Sequence, residues 1–167
     1  MKSDPLITYR RKPATLDAES LKSFAEVLRD RVAGGCEFHC RITNDAELQS
    51  MNAQFRGKDY ATDVLSFPNV GQPFQAADLL SSKSSRPHGR PVDSSLGDIA
   101  ISIQRARAQA YERNHPVEDE IRILMLHGVL HLLGMDHESD SGRMKRTEIR
   151  WRRKLGLPPG LIERGAA

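Results

Sequence analysis

Three histidines lie close together in the second half of the chain, in the string His127-Gly128-Val129-Leu130-His131-Leu132-Leu133-Gly134-Met135-Asp136-His137. On a helix, His127 and His131 are offset by only about 40°, so both imidazoles leave one face. Gly134 lets the chain turn back sharply, which returns His137 to the same point. A single histidine on an apolar face reads as a core residue satisfied by hydrogen bonds. Three at this spacing, with glycine at the return, read as ligands. Three neutral nitrogens and a fourth position open to water describe a catalytic rather than a structural zinc site.

The spacing also fits His-x-x-x-His-x-x-Gly-x-x-His, in which metzincin proteases place a Glu directly after the first His as general base. Position 128 is glycine, so the carboxylate that peptide hydrolysis uses is missing. Neutral ligands leave the full charge of the metal undiminished, which suits activation of water and stabilisation of an anionic, phosphorane-like transition state. The chemistry expected is phosphodiester cleavage.

A second cluster runs Phe55-Arg56-Gly57-Lys58-Asp59-Tyr60-Ala61-Thr62-Asp63-Val64-Leu65-Ser66-Phe67-Pro68. Arg56 and Lys58 at a helix-to-strand junction can hold phosphate oxygens. An exposed cationic turn is the plainer reading of such a pair. Thr62 and Asp63 serve equally well as turn hydrogen-bonders. Asp98 and Asp136 are candidates for orienting an imidazole from behind, with ordinary capping as the alternative for each.

Elements must bring these groups together. Leu6 to Tyr9 and Cys36 to Ile42 read as strands. Leu16 to Val32 has helical spacing and stops at Gly34-Gly35, and Asn44 or Asp45 can cap a helix carrying Leu48, Met51 and Phe55 that stops at Gly57. Val64 to Phe67 and Asp98 to Ile103 read as two further strands, the latter with Ile99, Ile101 and Ile103 alternating. Helices are expected over Gln104 to Arg113, Val117 to Leu133 and Ser141 to Leu155. In the second of these Pro116 suits the first helical position, and Glu118, Asp119 and Glu120 complement the helix dipole. It is apolar nearly all round and therefore central and buried. The span 69–95, rich in Ser, Pro, Gly and Gln, is too long for a structureless connection in a compact core. It is expected as a mobile surface insertion with a short helix near Ala76 to Leu80, and 156–167 as a flexible tail.

The 167 residues are 38% hydrophobic and 28% charged, enough for one domain with a sizeable core. No apolar stretch follows Met1, which argues against secretion. The most apolar segment, Ile121 to Met135, is too short to span a bilayer and is interrupted by histidines. Cys36 and Cys40, four apart on a strand, would stand roughly 13 Å from each other, beyond disulfide reach, which fits a reducing cytosol. His39 points away from both, so packing thiols are expected rather than a metal cluster. From Arg143 onward eight Lys or Arg face two Glu, whereas the preceding residues hold 17 basic and 20 acidic. A basic C-terminal segment on a slightly acidic body suggests an anionic partner, usually nucleic acid; a solvated helix face is the bland alternative.

Taken together, the histidine string, the Arg56 to Pro68 segment, Leu96-Gly97-Asp98-Ile99-Ala100-Ile101-Ser102, and Met144 with Glu148 resemble the bacterial YbeY family of endoribonucleases and rRNA maturation factors. The resemblance covers roughly Ala46 to Leu155. It implies an α+β fold, a small mixed four-stranded sheet with about five helices around it and the metal site on a central buried helix. It also implies one zinc-dependent hydrolase domain over 1–167: a cytoplasmic endoribonuclease preferring single strands, acting in 16S rRNA 3′-end maturation and ribosome quality control. His127, His131 and His137 match the family's metal ligands for Zn2+, with other divalent metals open. Arg56 matches its functionally important arginine, with Lys58 close by. Implied partners are rRNA and other single-stranded RNA, and the small ribosomal subunit with its assembly factors, without a membrane. Ala61 departs from the family's usual proline and bears on the placement of Arg56. Two competing readings are a metal-dependent hydrolase of peptides or small molecules, and a ribosome-assembly factor whose zinc is structural.

Overall fold

The computed structural model describes residues 6–69 and 95–164. Within them the order is β1 (Ile7–Tyr9), α1 (Ala18–Val27) continuing as a π-helical turn (Leu28–Val32), β2 (His39–Thr43), α2 (Asp45–Arg56), β3 (Val64–Pro68), β4 (Gly97–Ser102), α3 (Ile103–Arg113), α4 (Val117–Leu132) and α5 (Arg143–Lys154). The strands form one mixed sheet in the order β1-β2-β4-β3, with β1, β2 and β4 parallel and β3 antiparallel at the edge. The expected α+β class is found. No helix among the described residues is long and apolar enough to cross a membrane.

Local chemistry accounts for the helix starts. Asp17 caps α1 by accepting from Ser20 N at 3.1 Å, with Leu16 and Leu21 buried on either side of the cap as an apolar staple. Asn44 accepts from Glu47 N at the head of α2, and Ser102 from Arg105 N at the head of α3. Strand β2 begins at His39, three residues later than expected: Cys36 is held in a turn, its N–H donating to Ala33 O, and pairing with β4 starts at His39 opposite Asp98. Both cysteines are buried and neither is in a disulfide, and burial pushes Cys40 up to about 12.

Alternation along the strands sorts the core. Cys40, Ile42, Ile99 and Ile101 face α1 and α4, whereas Ala100 and Leu65 face Leu48 and Met51 of α2 on the other side. α4 lies directly on the sheet at Gly128, where a Cβ would stand 3.0 to 3.1 Å from three atoms of Ile99. The small residue lets helix and strand approach.

The ends of the expected insertion meet, Asn69 Nδ2 donating to Ser95 O at 2.7 Å and Asn69 N to Leu96 O at 3.1 Å. Residues 70–94, including the expected Ala76 to Leu80 helix, lie outside the described residues. Within the span expected as a tail, residues 157–164 make specific contacts. Leu157 and Gly160 are buried, Arg164 makes two bonds to the Glu120 carboxylate at 2.7 and 3.0 Å, and Arg152 makes two to Glu163 at 2.5 and 2.8 Å. Its Pro-Pro-Gly sequence looks loose, but buried partner groups hold it.

Candidate metal centre

His127 and His131 occupy the last turns of α4. Beyond the C-cap at Leu133, Gly134 takes φ +89°, a left-handed conformation that glycine adopts without strain, and Met135 N donates back to Leu130 O. The reversal brings His137 to the other two: the ring centroids lie 4.7, 5.5 and 5.5 Å apart, and one nitrogen from each ring falls within 4.8 Å of the others. A tetrahedral zinc with bonds of about 2.0–2.1 Å spaces its ligand nitrogens by about 3.3 Å.

Hydrogen bonds at the back of two of the rings set their tautomers. His127 Nδ1 lies 2.8 Å from Glu148 Oε2, and His131 Nδ1 lies 2.9 Å from Met135 O. Both Nδ1 atoms face acceptors and therefore carry the proton, leaving two Nε2 lone pairs directed at each other across 3.1 Å. Burial first, and then the neighbouring His127, lower His131 to about 4, so it is neutral and ligand-ready at ordinary pH. His137 Nδ1 is buried without a hydrogen-bond partner among the described residues. Opposed lone pairs and an orphaned ring nitrogen are deficits that a divalent cation at the convergence removes. The residues fit a metal.

Glu148 is the residue that sequence reasoning left without a role. It is 1% exposed and is the only acid on α5, one turn beyond the buried Met144 on the same face. Its other oxygen accepts from Ile162 N at 3.3 Å. A buried acid on a basic helix was the available signal. Neither of the two candidate aspartates, for which capping was the alternative, bonds to a ring of the three-histidine cluster among the described residues. Asp98 projects from the sheet face opposite α4 and stands 3.5 Å from His39 Nδ1. Asp136 accepts from Glu138 N and Ser139 Oγ; these bonds, the first above all, hold its carboxyl below the usual range. Asp63 is a turn hydrogen-bonder, accepting from Val64 N and Gln109 Nε2.

Arg56 ends α2 and lines a cavity of about 710 Å³ with Met51, Phe55, Phe67 and Arg41, on the α2 side of the sheet. The three histidines are not among its walls. The link between them is β3: Arg56 Nη2 donates to Ser66 O at 2.9 Å, and Ser66 Oγ donates at 3.3 Å to the carbonyl of Gly128, the residue after His127. Ala61 leaves the turn intact, because buried Asn52 donates from Nδ2 to Tyr60 O at 2.9 Å. Lys58 is exposed just past the left-handed Gly57. The C-terminal basic segment offers fewer free cations than its composition suggests, since Arg152 and Arg164 are engaged by Glu163 and Glu120.

Fold and site together define an α+β protein built around a three-histidine centre suited to a metal ion. A model of the family Endoribonuclease YbeY matches residues 7–156. Relatives named Endoribonuclease YbeY include one from Solibacter usitatus, 54% identical over 158 residues (95% of this chain, 92% of the relative), and one from Koribacter versatilis, 42% identical over 161 residues (95% and 91%). The solution structure of TM1509 from Thermotoga maritima is similar with a TM-score of 0.53 at 25% identity, over 87% of this chain and 84% of that one. The chain belongs to the endoribonuclease YbeY family.

Proposed function

We propose that this chain is a zinc-dependent endoribonuclease that prefers single-stranded RNA, working in the cytoplasm in 16S rRNA 3′-end maturation and ribosome quality control. Its partners on this reading are rRNA, other single-stranded RNA, and the small ribosomal subunit with its assembly factors. The observation that carries the proposal is the convergence of His127, His131 and His137, with the first two rings oriented from behind, in a family whose relatives are named endoribonucleases. One zinc per chain would be held by these three imidazoles, and when bound it supplies Lewis acidity and a polarised water. Glu148 and the Met135 carbonyl hold two rings in register. Arg56, fixed through Nη2 to the edge strand that also bonds to the Gly128 carbonyl, keeps further N–H donors for phosphate oxygens as charge grows on them. Lys58 adds an exposed point charge beside it. The competing peptidase reading lacks its general base, because position 128 is glycine and packs closely against Ile99.

Single-turnover cleavage of a single-stranded oligoribonucleotide by the zinc-loaded protein tests the proposal. Chelation should abolish cutting, and casein should remain intact. Arg56→Ala should lower the saturated rate on the order of 10²–10³-fold with zinc content unchanged, as for loss of one transition-state donor, and Lys58→Ala should lower it less. A wild-type rate in Arg56→Ala would remove Arg56 from the machinery, and metal-independent cutting would overturn the reading as a whole. A 2′,3′-cyclic phosphate on the cut ends would identify the RNA's own 2′-hydroxyl as nucleophile; a linear monophosphate as the first-formed end would identify water.

A further inference from the structure

Beyond α5 the chain folds back, and residues 157–164 are tied at two points to buried carboxylates, Glu148 on α5 and Glu120 on α4. At the first point Gly160 packs directly on Glu148: a Cβ built there would stand 2.1 Å from Oε1 and 2.9 Å from Cδ. Ile162 N donates to the same Oε1 at 3.3 Å. At the second point the Arg164 side chain, 3% exposed, makes two bonds to Glu120, which also meets His115 Nε2 at 2.6 Å. Glu148 therefore serves two partners at once. Its Oε2 faces His127 Nδ1 at 2.8 Å, whereas its Oε1 faces the C-terminal segment. A carboxylate buried this deeply needs a donor at each oxygen, because an unmet buried acceptor costs free energy. The segment lies past the family match, which ends at residue 156.

We propose that residues 157–164 are a positioning element of the metal centre, and that their docking and the binding of a divalent metal by the three histidines reinforce each other through the Glu148 carboxylate. With the segment in place, Ile162 N and the bare Cα of Gly160 fix Oε1, which keeps Oε2 on His127 Nδ1 and the His127 Nε2 lone pair turned toward His131. With the segment displaced, Oε1 opens to solvent, the carboxylate can rotate, and the ring loses its fixed acceptor. The coupling is reciprocal, as linkage requires. When Nε2 ligates a cation, the ring becomes more positive and Nδ1–H a stronger donor, so the carboxylate is held more firmly in the position that Ile162 N needs. Gly160 marks the role. Its φ lies outside the left-handed region that demands glycine, and the three atoms nearest an added methyl all belong to Glu148. The inference rests on the metal reading of the histidines and is independent of the RNA substrate.

The test uses the full-length chain, stripped of metal and then saturated with zinc. Amide hydrogen exchange is followed at Ile162, with Glu47 N, bonded to Asn44 on the α2 side of the sheet, as the reference. Zinc should slow exchange at Ile162 about tenfold and leave Glu47 within about twofold. In Glu148→Gln at saturating zinc the response at Ile162 should disappear, because a single amide cannot accept from both His127 Nδ1 and Ile162 N. A segment that merely covered the body would show no zinc response in either protein. Zinc affinity, read by competition with a chromophoric chelator, should fall about three- to tenfold in Gly160→Ala, and likewise in Arg164→Ala, which frees the far end without touching Glu148. Should Arg164→Ala fail to fold, wild-type exchange and Gly160→Ala carry the test. Equal exchange at Ile162 with and without zinc, in a wild-type chain that binds the metal, overturns the proposal, and so does wild-type zinc affinity in folded Gly160→Ala. A wild-type chain that takes up no zinc removes the metal reading itself and this proposal with it. Coupling in a protein that cuts no RNA would leave the positioning role standing and remove the endoribonuclease reading instead.

Discussion

Replacing Glu148 with glutamine changes one atom and one charge at a position with no freedom to adjust. The carboxylate presents Oε2 to His127 Nδ1 at 2.8 Å and Oε1 to Ile162 N at 3.3 Å, and a Cβ built on Gly160 would stand only 2.1 Å from Oε1. Both contacts require an acceptor. An amide has one acceptor and one donor, so the Glu148→Gln side chain must turn its NH₂ toward one of the two N–H groups and lose that bond. If the lost bond is the one to His127, the ring is freed to rotate or to change tautomer; if it is the one to Ile162, His127 keeps a neutral acceptor in place of an anion, which makes its Nε2 a poorer donor to metal. Loss of such a supporting group costs about 10–100-fold in metal affinity, equivalent to about 1.4–2.7 kcal/mol. Competition for zinc against a chromophoric chelator measures it, with far-UV dichroism verifying the fold. Glu163→Gln, in the same C-terminal region but bonded to Arg152, should leave zinc affinity unchanged. A folded Glu148→Gln protein that holds zinc within about twofold of wild type would refute the reasoning.

Three other outcomes follow from the packing. Gly128→Ala presses a methyl to within 3.0 to 3.1 Å of the buried Ile99 side chain and should destabilise the fold by about 1–3 kcal/mol in urea titration; unchanged stability would mean that α4 can lift off the sheet freely. Arg164→Ala leaves Glu120, 0% exposed, with His115 as its remaining partner at 2.6 Å, and should cost on the order of 3–5 kcal/mol in thermal melts; a loss under about 1 kcal/mol would mean the C-terminal segment is not docked in solution. Burial holds the Cys40 thiol up at about 12, so the thiolate is absent at pH 8 and peptide mapping after treatment with a thiol reagent should find Cys40 unmodified until the protein is denatured.

The ligand set was legible in the one-dimensional string because its geometry is local. His127, His131 and His137 cluster around one helix end, with Gly134 at the reversal, and backbone geometry alone brings them together. The helix caps at Asp17, Asn44 and Ser102 are local for the same reason, each side chain bonding a backbone N–H three residues on. Hydropathy likewise argued against a membrane-spanning helix, and periodicity separated strands from helices to within a few residues.

Interactions between distant segments were decided only by the tertiary structure. Which acid orients His127 depends on how α5 crosses α4, 21 residues away in sequence, and that crossing selected Glu148 over the adjacent Asp136. The charge of the C-terminal segment could be counted, but whether each cation is free could not: Arg164 travels to Glu120 across 44 positions and folds a supposed tail onto the body. Position 128 read as a missing base, whereas its packing against Ile99 shows a glycine that lets α4 touch β4. Gly160 and Ile162 meet Glu148 only because the chain folds back after α5. Local geometry is written in residue spacing, but burial, pairing of charges and the meeting of distant strands arise only when the chain closes on itself.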